Sequence, residues 1–200
     1  MNAPAVYGPR IKAVAIYLGV YQLIPEDRLA TLMADLFAAP TLCPATIATW
    51  TQKKAEDLGP VQDAIKDLLK VAPVRHLDET GFRIGGRTEW LRTVSSTTLT
   101  HYVATEKRGD ISTFLRDGNA AGVIVHDHFK PYYKQFSDLN HALCNAHHLR
   151  ELKALVEHDE EAWAAEMSDF LLMLKELVDQ AKDKDMSGLP PSLLEPLEHY

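Results

Sequence analysis

The hydrophobic pattern of the chain changes its period near residue 72, and this change constrains the fold more than any other feature. From residue 9 to residue 70, apolar side chains recur every three or four residues, which is the spacing of one helix face. From residue 73 onward, the chain is rich in β-branched and aromatic residues that alternate with polar ones, which favours strands. The sequence therefore predicts an all-helical segment followed by a mixed α/β domain.

The first part of the chain predicts three helices, at residues 10–22, 25–37 and 44–72. The second helix should begin near Pro25, because proline needs no hydrogen-bond donor in a first turn and the two acids after it complement the helix dipole. The short break between the second and third helices has the outline of a helix-turn-helix, a DNA-reading motif. Ordinary helical bundles contain the same outline, so the pattern leaves both interpretations open.

The second part of the chain predicts a sheet with flanking helices. Gly85 and Gly86 suit a tight hairpin turn between the first two strands. The predicted strands cover residues 74–82, 88–96, 99–106 and 120–129, and the predicted helices cover residues 107–118, 141–158 and 160–185. The first of the last two helices has an apolar start, and the second is amphipathic with acids on its outer face. This order of elements is that of an RNase H-like nuclease, so the expected fold class is α/β with a mixed sheet.

The net charge of −7 gives no direct support for a nucleic-acid partner. The charge is uneven, however. Residues 1–70 carry 7 basic and 7 acidic side chains, residues 71–157 carry 11 and 10, and residues 158–200 carry 3 and 11. The acidity therefore lies almost entirely in the last segment, and the nearly neutral remainder can still bind DNA through local Lys and Arg residues.

Export and membrane signals are not found in the sequence. No stretch reaches the roughly 18 to 20 continuous apolar residues of a membrane span, and the first residues lack the charged-then-apolar order of a signal peptide. Cys43 and Cys144 are the two cysteines, and in such a chain a structural disulfide is not expected. We therefore expect a cytoplasmic protein without a membrane partner and with reduced thiols.

Two aspartates stand out in the predicted sheet. Asp78 lies in the first predicted strand and Asp127 near the end of the fourth, and a carboxylate in such a place is costly unless it is paired or bound to metal. If the two strands are neighbours, both carboxylates can share divalent cations, and their hard oxygen ligands suit Mg²⁺ or Mn²⁺. Two such ions, about 3.5–4 Å apart, would stabilise the attacking and leaving oxygens of a phosphoryl displacement. The alternative is that Asp78 caps a turn and Asp127 forms a turn or helix start, and the residues alone leave both interpretations open.

Other polar residues near these aspartates invite a catalytic role. His76, like the others, is not assigned a catalytic role. Along a strand, neighbouring side chains point to opposite faces, so we do not expect Glu79, His126 or His128 to share the site. The loop-like segment after Asp127 contains Lys130, Tyr132 and Tyr133, which could contact a phosphate backbone or a base. A packed surface turn is the other interpretation of that segment.

Four blocks of sequence together resemble a known family. They are YGPRIKAVAIYLGVYQLIPEDRLATLMADLF, VRHLDETGFRIGGRTEWLRT, GVIVHDHFKPYY and HALCNAHHLREL, and they are similar in order and spacing to transposases of the insertion-sequence-66 family. The resemblance covers roughly residues 7 to 180. It implies a DDE transposase with an RNase H-like core, in which Asp78 and Asp127 are the first two catalytic carboxylates and Mg²⁺ or Mn²⁺ ligands. It also implies DNA as the partner, at insertion-sequence ends and at the target, with homo-oligomers as a further expectation.

The stretch from Cys144 to His147 resembles a C-x-x-H signature that follows the second aspartate in several transposase families. On a helix these two side chains share a face and could orient the active site or contact DNA. Cys144 as a small buried hydrophobe and His147 as a hydrogen-bonded core histidine are equally compatible with the pattern. A Cys–His zinc site is not expected in this segment, because it needs four ligands, no second cysteine lies near and His148 should face elsewhere.

The sequence departs from the family in one respect that matters for activity. The third carboxylate of the family belongs to a later block that these 200 residues do not contain. The expected organisation is a helical domain at 1–71, a partial catalytic core at 72–157 and the beginning of a helical insertion at 158–200. On this expectation the polypeptide is inactive by itself. A non-catalytic DNA-binding or interaction protein is the main rival, and a complete nuclease would require Glu151 near Asp78 and Asp127.

Overall fold

The computed structural model describes residues 7–37, 42–109 and 122–194. The chain divides between Leu68 and Leu69 into two compact units. The first unit is helical and the second contains a sheet with helices around it. The predicted change from helical to mixed α/β structure is therefore confirmed.

The helical unit contains α1 (Pro9–Ile16), a π-helical turn (Tyr17–Tyr21), α2 (Glu26–Phe37), α3 (Pro44–Asp57) and most of α4 (Gly59–Lys70). The apolar faces of α1, α2 and α3 meet in a core of fully buried side chains that includes Ala15, Leu29, Met33 and Ile47. The residues between α2 and α3 lie largely outside the described part of the chain, so the predicted helix-turn-helix outline stays a prediction.

Two boundaries differ from the predicted helices. The segment 44–72, predicted as one helix, is broken at Leu58, whose N–H closes α3 by donating to the Lys54 carbonyl at 3.0 Å. Pro60 follows at once, and because it has no N–H to continue the ladder, it starts a new helix instead. The predicted helix 10–22 ends in a π-helical turn rather than as regular α-helix.

The sheet has five strands: β1 (Val74–Ile84), β2 (Arg87–Ser95), β3 (Thr100–Thr105), β4 (Val123–His126) and β5 (Asn140–Leu143). Their order is β3-β2-β1-β4-β5. The first three strands are antiparallel neighbours, whereas β4 runs parallel to both β1 and β5. Gly85 and Gly86 form the predicted hairpin turn with φ values of +56° and +81°, a region that glycine enters without steric cost.

The start of β4 is held close to the start of β1. The Val123 N–H donates to the Pro73 carbonyl at 2.9 Å. Gly122 precedes it with φ +100°, and a Cβ atom there would lie 2.3 Å from the Pro73 carbonyl oxygen. Only glycine fits this approach of two backbones, which sets β4 beside β1.

Helices flank the sheet in the second unit: α5 (Lys130–Gln135), α6 (Asn145–Asp159), α7 (Ala162–Asp183) and α8 (Pro191–Leu194). The predicted helix 160–185 is confirmed as α7. The predicted helix 141–158 is confirmed only from residue 145, as α6, because residues 141–143 pair with β4 as part of β5. The segment after Asp127, predicted as loop-like, is instead helical from Lys130, because Pro131 in its first turn favours helix initiation. Most of the predicted helix 107–118 lies outside the described residues.

Two further expectations concern the chain as a whole. Both cysteines are free thiols, as predicted. Within the described ranges, none of the helices combines the length and the apolar character that crossing a membrane requires.

Candidate functional site

The strands associated with the two aspartates singled out in the sequence are neighbours in the sheet, because β1 pairs in parallel with β4. The pairing extends to His76 opposite Val125. Asp78 lies two residues further along β1, and Asp127 follows His126, the last residue of β4. Neighbouring strands lie about 4.8 Å apart. Two segments that are far apart in the chain are thus adjacent in the fold.

The alternation of side chains places Asp78 on one face of β1, whereas Asp127 follows the last residue of β4. Leu77 is 4% exposed and His126 is fully buried, so these two lie on the packed face. His76 and Asp78 are exposed and Asp127 is half-buried. The Asp78 carboxylate therefore lies on the face away from the packed side chains, where solvent can reach it.

Local hydrogen bonds orient each carboxylate. Asp78 Oδ1 accepts the backbone N–H of Glu79 at 2.9 Å, and Asp127 Oδ1 accepts the backbone N–H of Phe129 at 2.9 Å. Asp78 lies in the interior of β1 and does not cap a turn, whereas Asp127 does form a turn ahead of α5. Each carboxylate keeps its second oxygen for another partner.

The donor chemistry of this pair suits a hard divalent cation. Carboxylate oxygens are the ligands that Mg²⁺ and Mn²⁺ prefer, and both ions complete their coordination with water. Across residues 7–37, 42–109 and 122–194, no third His, Cys, Asp or Glu side chain joins Asp78 and Asp127 in a three-ligand group.

Glu79 points to the opposite side from Asp78, as strand alternation predicts. Its side chain is only 1% exposed, and its carboxylate accepts hydrogen bonds from the Tyr132 hydroxyl and from Arg108 Nε, the latter at 3.1 Å. The Arg108 guanidinium also lies 4.3 Å from the centre of the Phe129 ring. Burial, together with the hydrogen bond to Glu79, raises the pKa of Tyr132 above its ordinary value, so this hydroxyl stays a donor at neutral pH.

A pair of histidines, the buried His126 and the half-buried His141, lies beside the backbone at Asp127. His126 Nε2 lies 2.8 Å from Nδ1 of His141, and His126 Nδ1 contacts the Asp127 carbonyl oxygen. His141 Nε2 in turn lies 3.0 Å from the Phe136 carbonyl oxygen. Burial lowers the pKa of His126, although its contact with the Asp127 carbonyl opposes the shift. The pair ties β4 to β5 at the strand end that carries Asp127.

A second polar group lies one residue beyond Asp127. His128 Nε2 is 3.4 Å from Glu151 Oε2, and His148 Nδ1 is 4.0 Å from the same oxygen. The two imidazole rings are 4.9 Å apart between centroids. His128, His148 and Glu151 are three potential metal ligands with their donor atoms within 4.8 Å of one another. Glu151 is thus grouped with His128 rather than with the two aspartates.

A comparison with protein families identifies the chain. The family model described as "Transposase IS66 family" matches residues 4–191, which is nearly its full length. The chain belongs to the IS66 family of transposases. No curated protein and no solved structure gives a significant match. The family resemblance seen in the four sequence blocks is therefore confirmed.

The C-x-x-H segment of this IS66-family protein differs from its prediction. Cys144 is the N-cap of α6 and not part of the helix, so Cys144 and His147 do not share a helix face as predicted. The Cys144 N–H donates to the His126 carbonyl at 2.8 Å, which fixes α6 to the end of β4. His147 is half-buried, and within the described chain its buried Nδ1 atom has no hydrogen-bond partner. His148 faces His128 and Glu151, a direction that the sequence argument did not identify.

The sequence reasoning missed three groups in this transposase: the Glu79 pair with Tyr132, the pair of histidines and the cluster around Glu151. The spacing of His148 and Glu151, three residues apart, could have indicated that they share one face of a helix. The others join residues 15 to 53 positions apart, and nothing in the local pattern signals such contacts.

Proposed function

We propose that the second unit is an RNase H-like catalytic core that acts in transposition, with Asp78 and Asp127 as its first two metal ligands. The observation that carries this proposal is the parallel pairing of β1 and β4, whose register leads to these two aspartates. Membership of the IS66 transposase family supports the same reading. In this proposal residues 1–71 form a helical domain, residues 72–157 the core, and residues 158–200 the beginning of a helical insertion.

Asp78 and Asp127 would hold Mg²⁺ or Mn²⁺, which when bound supplies positive charge that stabilises phosphodiester cleavage and strand transfer. The protein's own contribution is orientation. The backbone N–H groups of Glu79 and Phe129 direct one oxygen of each carboxylate, and the buried His126 contacts the carbonyl of Asp127. These contacts keep the two side chains in place before an ion or DNA arrives.

The proposed partner is DNA, at insertion-sequence ends and at the target. The segment after Asp127 forms α5, where Lys130 and Lys134 are exposed cations that suit phosphate oxygens. Tyr133 is 42% exposed and Tyr132 is buried, so of the two tyrosines only Tyr133 is accessible to a base. A cytoplasmic location and association into homo-oligomers complete the proposal.

In this proposal, DNA strand transfer needs further metal ligands besides the two carboxylates on the described chain. Loss of one carboxylate that binds the metal ions directly removes much of the electrostatic stabilisation of the transition state. For the 200-residue polypeptide assayed as such, we therefore expect metal binding without strand transfer.

A non-catalytic role in DNA binding or protein interaction is the alternative. The observation that favours it is the lack, among the described residues, of a third ligand beside Asp78 and Asp127. This alternative predicts DNA binding that is unchanged when Mg²⁺ is replaced by EDTA, whereas the metal-site proposal predicts tighter binding of DNA with Mg²⁺ or Mn²⁺.

Calorimetric titration of Mn²⁺ into the 200-residue protein tests the proposal. Asp78→Ala and Asp127→Ala should each abolish or strongly weaken binding, because each removes one of two shared ligands. Asp138→Ala is the matched control, since it removes an exposed carboxylate with the same change of charge. Equal Mn²⁺ binding by the wild type and both site variants would reject the shared site and leave the non-catalytic role.

A further inference from the structure

We infer that His128, His148 and Glu151 form a binding site for a divalent transition metal such as Zn²⁺, separate from Asp78 and Asp127. The three side chains come from two elements: His128 from the turn after β4, and the other two from one face of α6. The inference does not require that the two aspartates bind Mg²⁺.

The spacing of the donor atoms fits shared coordination better than direct hydrogen bonding. Hydrogen bonds between nitrogen and oxygen have lengths of about 2.7–3.2 Å, and the distances from Glu151 Oε2 to His128 Nε2 and His148 Nδ1 are longer, at 3.4 and 4.0 Å. Two ligands about 2.1 Å from one zinc ion lie about 3.4 Å apart in a tetrahedral site. His128 Nε2 and Glu151 Oε2 already have this separation, and a small rotation of the His148 side chain would bring its Nδ1 atom to the same distance from Glu151 Oε2.

The three side chains have room to make that rotation and to admit an ion. Their exposed fractions are 51% for His128, 27% for His148 and 58% for Glu151. The Glu151 carboxylate lies within 4.0 Å of both imidazoles, so a carboxylate oxygen and two ring nitrogens are available to one cation. An ion held by three protein ligands would keep one or more positions for water.

The donor set also selects the kind of metal. Imidazole nitrogens suit Zn²⁺, Co²⁺ and Ni²⁺, whereas Mg²⁺ prefers oxygen ligands and retains its water. The proposed site should therefore bind Zn²⁺ in the presence of excess Mg²⁺. Because His128 follows Asp127 directly, bound Zn²⁺ would clamp the turn after β4 to α6 and restrict the backbone that carries the second aspartate.

The test is a calorimetric titration of Zn²⁺ into the full 200-residue chain in a buffer that contains Mg²⁺. We expect one Zn²⁺ per chain, and we expect affinity to fall at least about tenfold in each of three variants: His128→Ala, His148→Ala and Glu151→Gln. His158→Ala is the matched control, because it removes an exposed histidine from the same helix. Asp78→Ala should also bind Zn²⁺ as the wild type does, so that failure of the Mn²⁺ site and failure of this site are distinguishable.

A free thiol is the competing explanation for any Zn²⁺ binding. A Cys144→Ser variant shows whether the Cys144 thiol contributes to it. The Co²⁺ complex of a site with two imidazoles and a carboxylate should show visible bands without the near-ultraviolet absorption of a thiolate bound to cobalt. The inference is overturned if Zn²⁺ binding persists in His128→Ala and His148→Ala, if it follows Cys144 or Asp78 instead, or if the wild type binds no Zn²⁺. Far-UV circular dichroism of each variant checks that the fold is retained.

Discussion

Replacing Tyr132 by phenylalanine removes a single hydroxyl from the packed side of the sheet. Tyr132 is 1% exposed, and its hydroxyl donates to the carboxylate of Glu79, whose side chain is also 1% exposed. The phenyl ring of the variant keeps the packing against His126, which lies 4.8 Å away between ring centroids. The substitution therefore isolates the hydrogen bond from the rest of the contact.

The expected loss of stability follows from the hydrogen bonds that the buried Glu79 carboxylate accepts. A hydrogen bond to a charged group contributes about 1.5–3 kcal/mol, and a buried acceptor that loses its donor retains its desolvation cost. Glu79 still has the hydrogen bond from Arg108, whose side chain is 46% exposed, so part of the charge stays compensated. We expect Tyr132→Phe to lower the free energy of unfolding of the second unit by about 2 kcal/mol.

Urea unfolding, followed by far-UV circular dichroism and tryptophan fluorescence, measures this loss. Tyr133→Phe is the matched control in the same helix; its residue is 42% exposed, and we expect a change within about 0.5 kcal/mol. In a Glu79→Gln background, Tyr132→Phe should cost at least about 1 kcal/mol less, because the charged acceptor has gone. Equal stability of Tyr132→Phe and the wild type would refute the reasoning that this hydroxyl stabilises a buried carboxylate.

Three further predictions concern the backbone, the buried histidine and the helical core. Gly122→Ala should destabilise the protein by at least about 2 kcal/mol, because φ is +100° and the new Cβ would lie 2.3 Å from the Pro73 carbonyl oxygen. Gly59→Ala is the control, because open space surrounds Gly59 and we expect no such loss. Thermal unfolding compares the two variants. The folded-state pKa of His126 lies below its ordinary value of 6.5, so the unfolded state binds more protons. The free energy of unfolding, measured in EDTA, should therefore fall as the pH drops through about 6.5. The slope of this fall should be shallower in His126→Gln. Met33→Ala removes a fully buried side chain and should cost the helical unit about 2–5 kcal/mol by urea unfolding.

Local patterns were sufficient to predict most of the elements and the family. The change of period at residue 72, the Gly85–Gly86 turn and the amphipathic α7 depend on side chains a few positions apart, and the structure confirms them. The break at Leu58 and the helix that begins at Lys130 were missed, although Pro60 and Pro131 are the local signals for both.

The sequence by itself determined that two aspartates lie in or beside strands and that the chain belongs to a transposase family. The prediction that Asp78 and Asp127 could act together depended on β1 and β4 being neighbours, and only the tertiary structure decided that. Strand order, register and the long-range contacts of Glu79 and Glu151 arise from packing between segments far apart in the chain. Such contacts leave no periodic trace in the sequence, because burial and pairing depend on the partner element rather than on neighbouring residues.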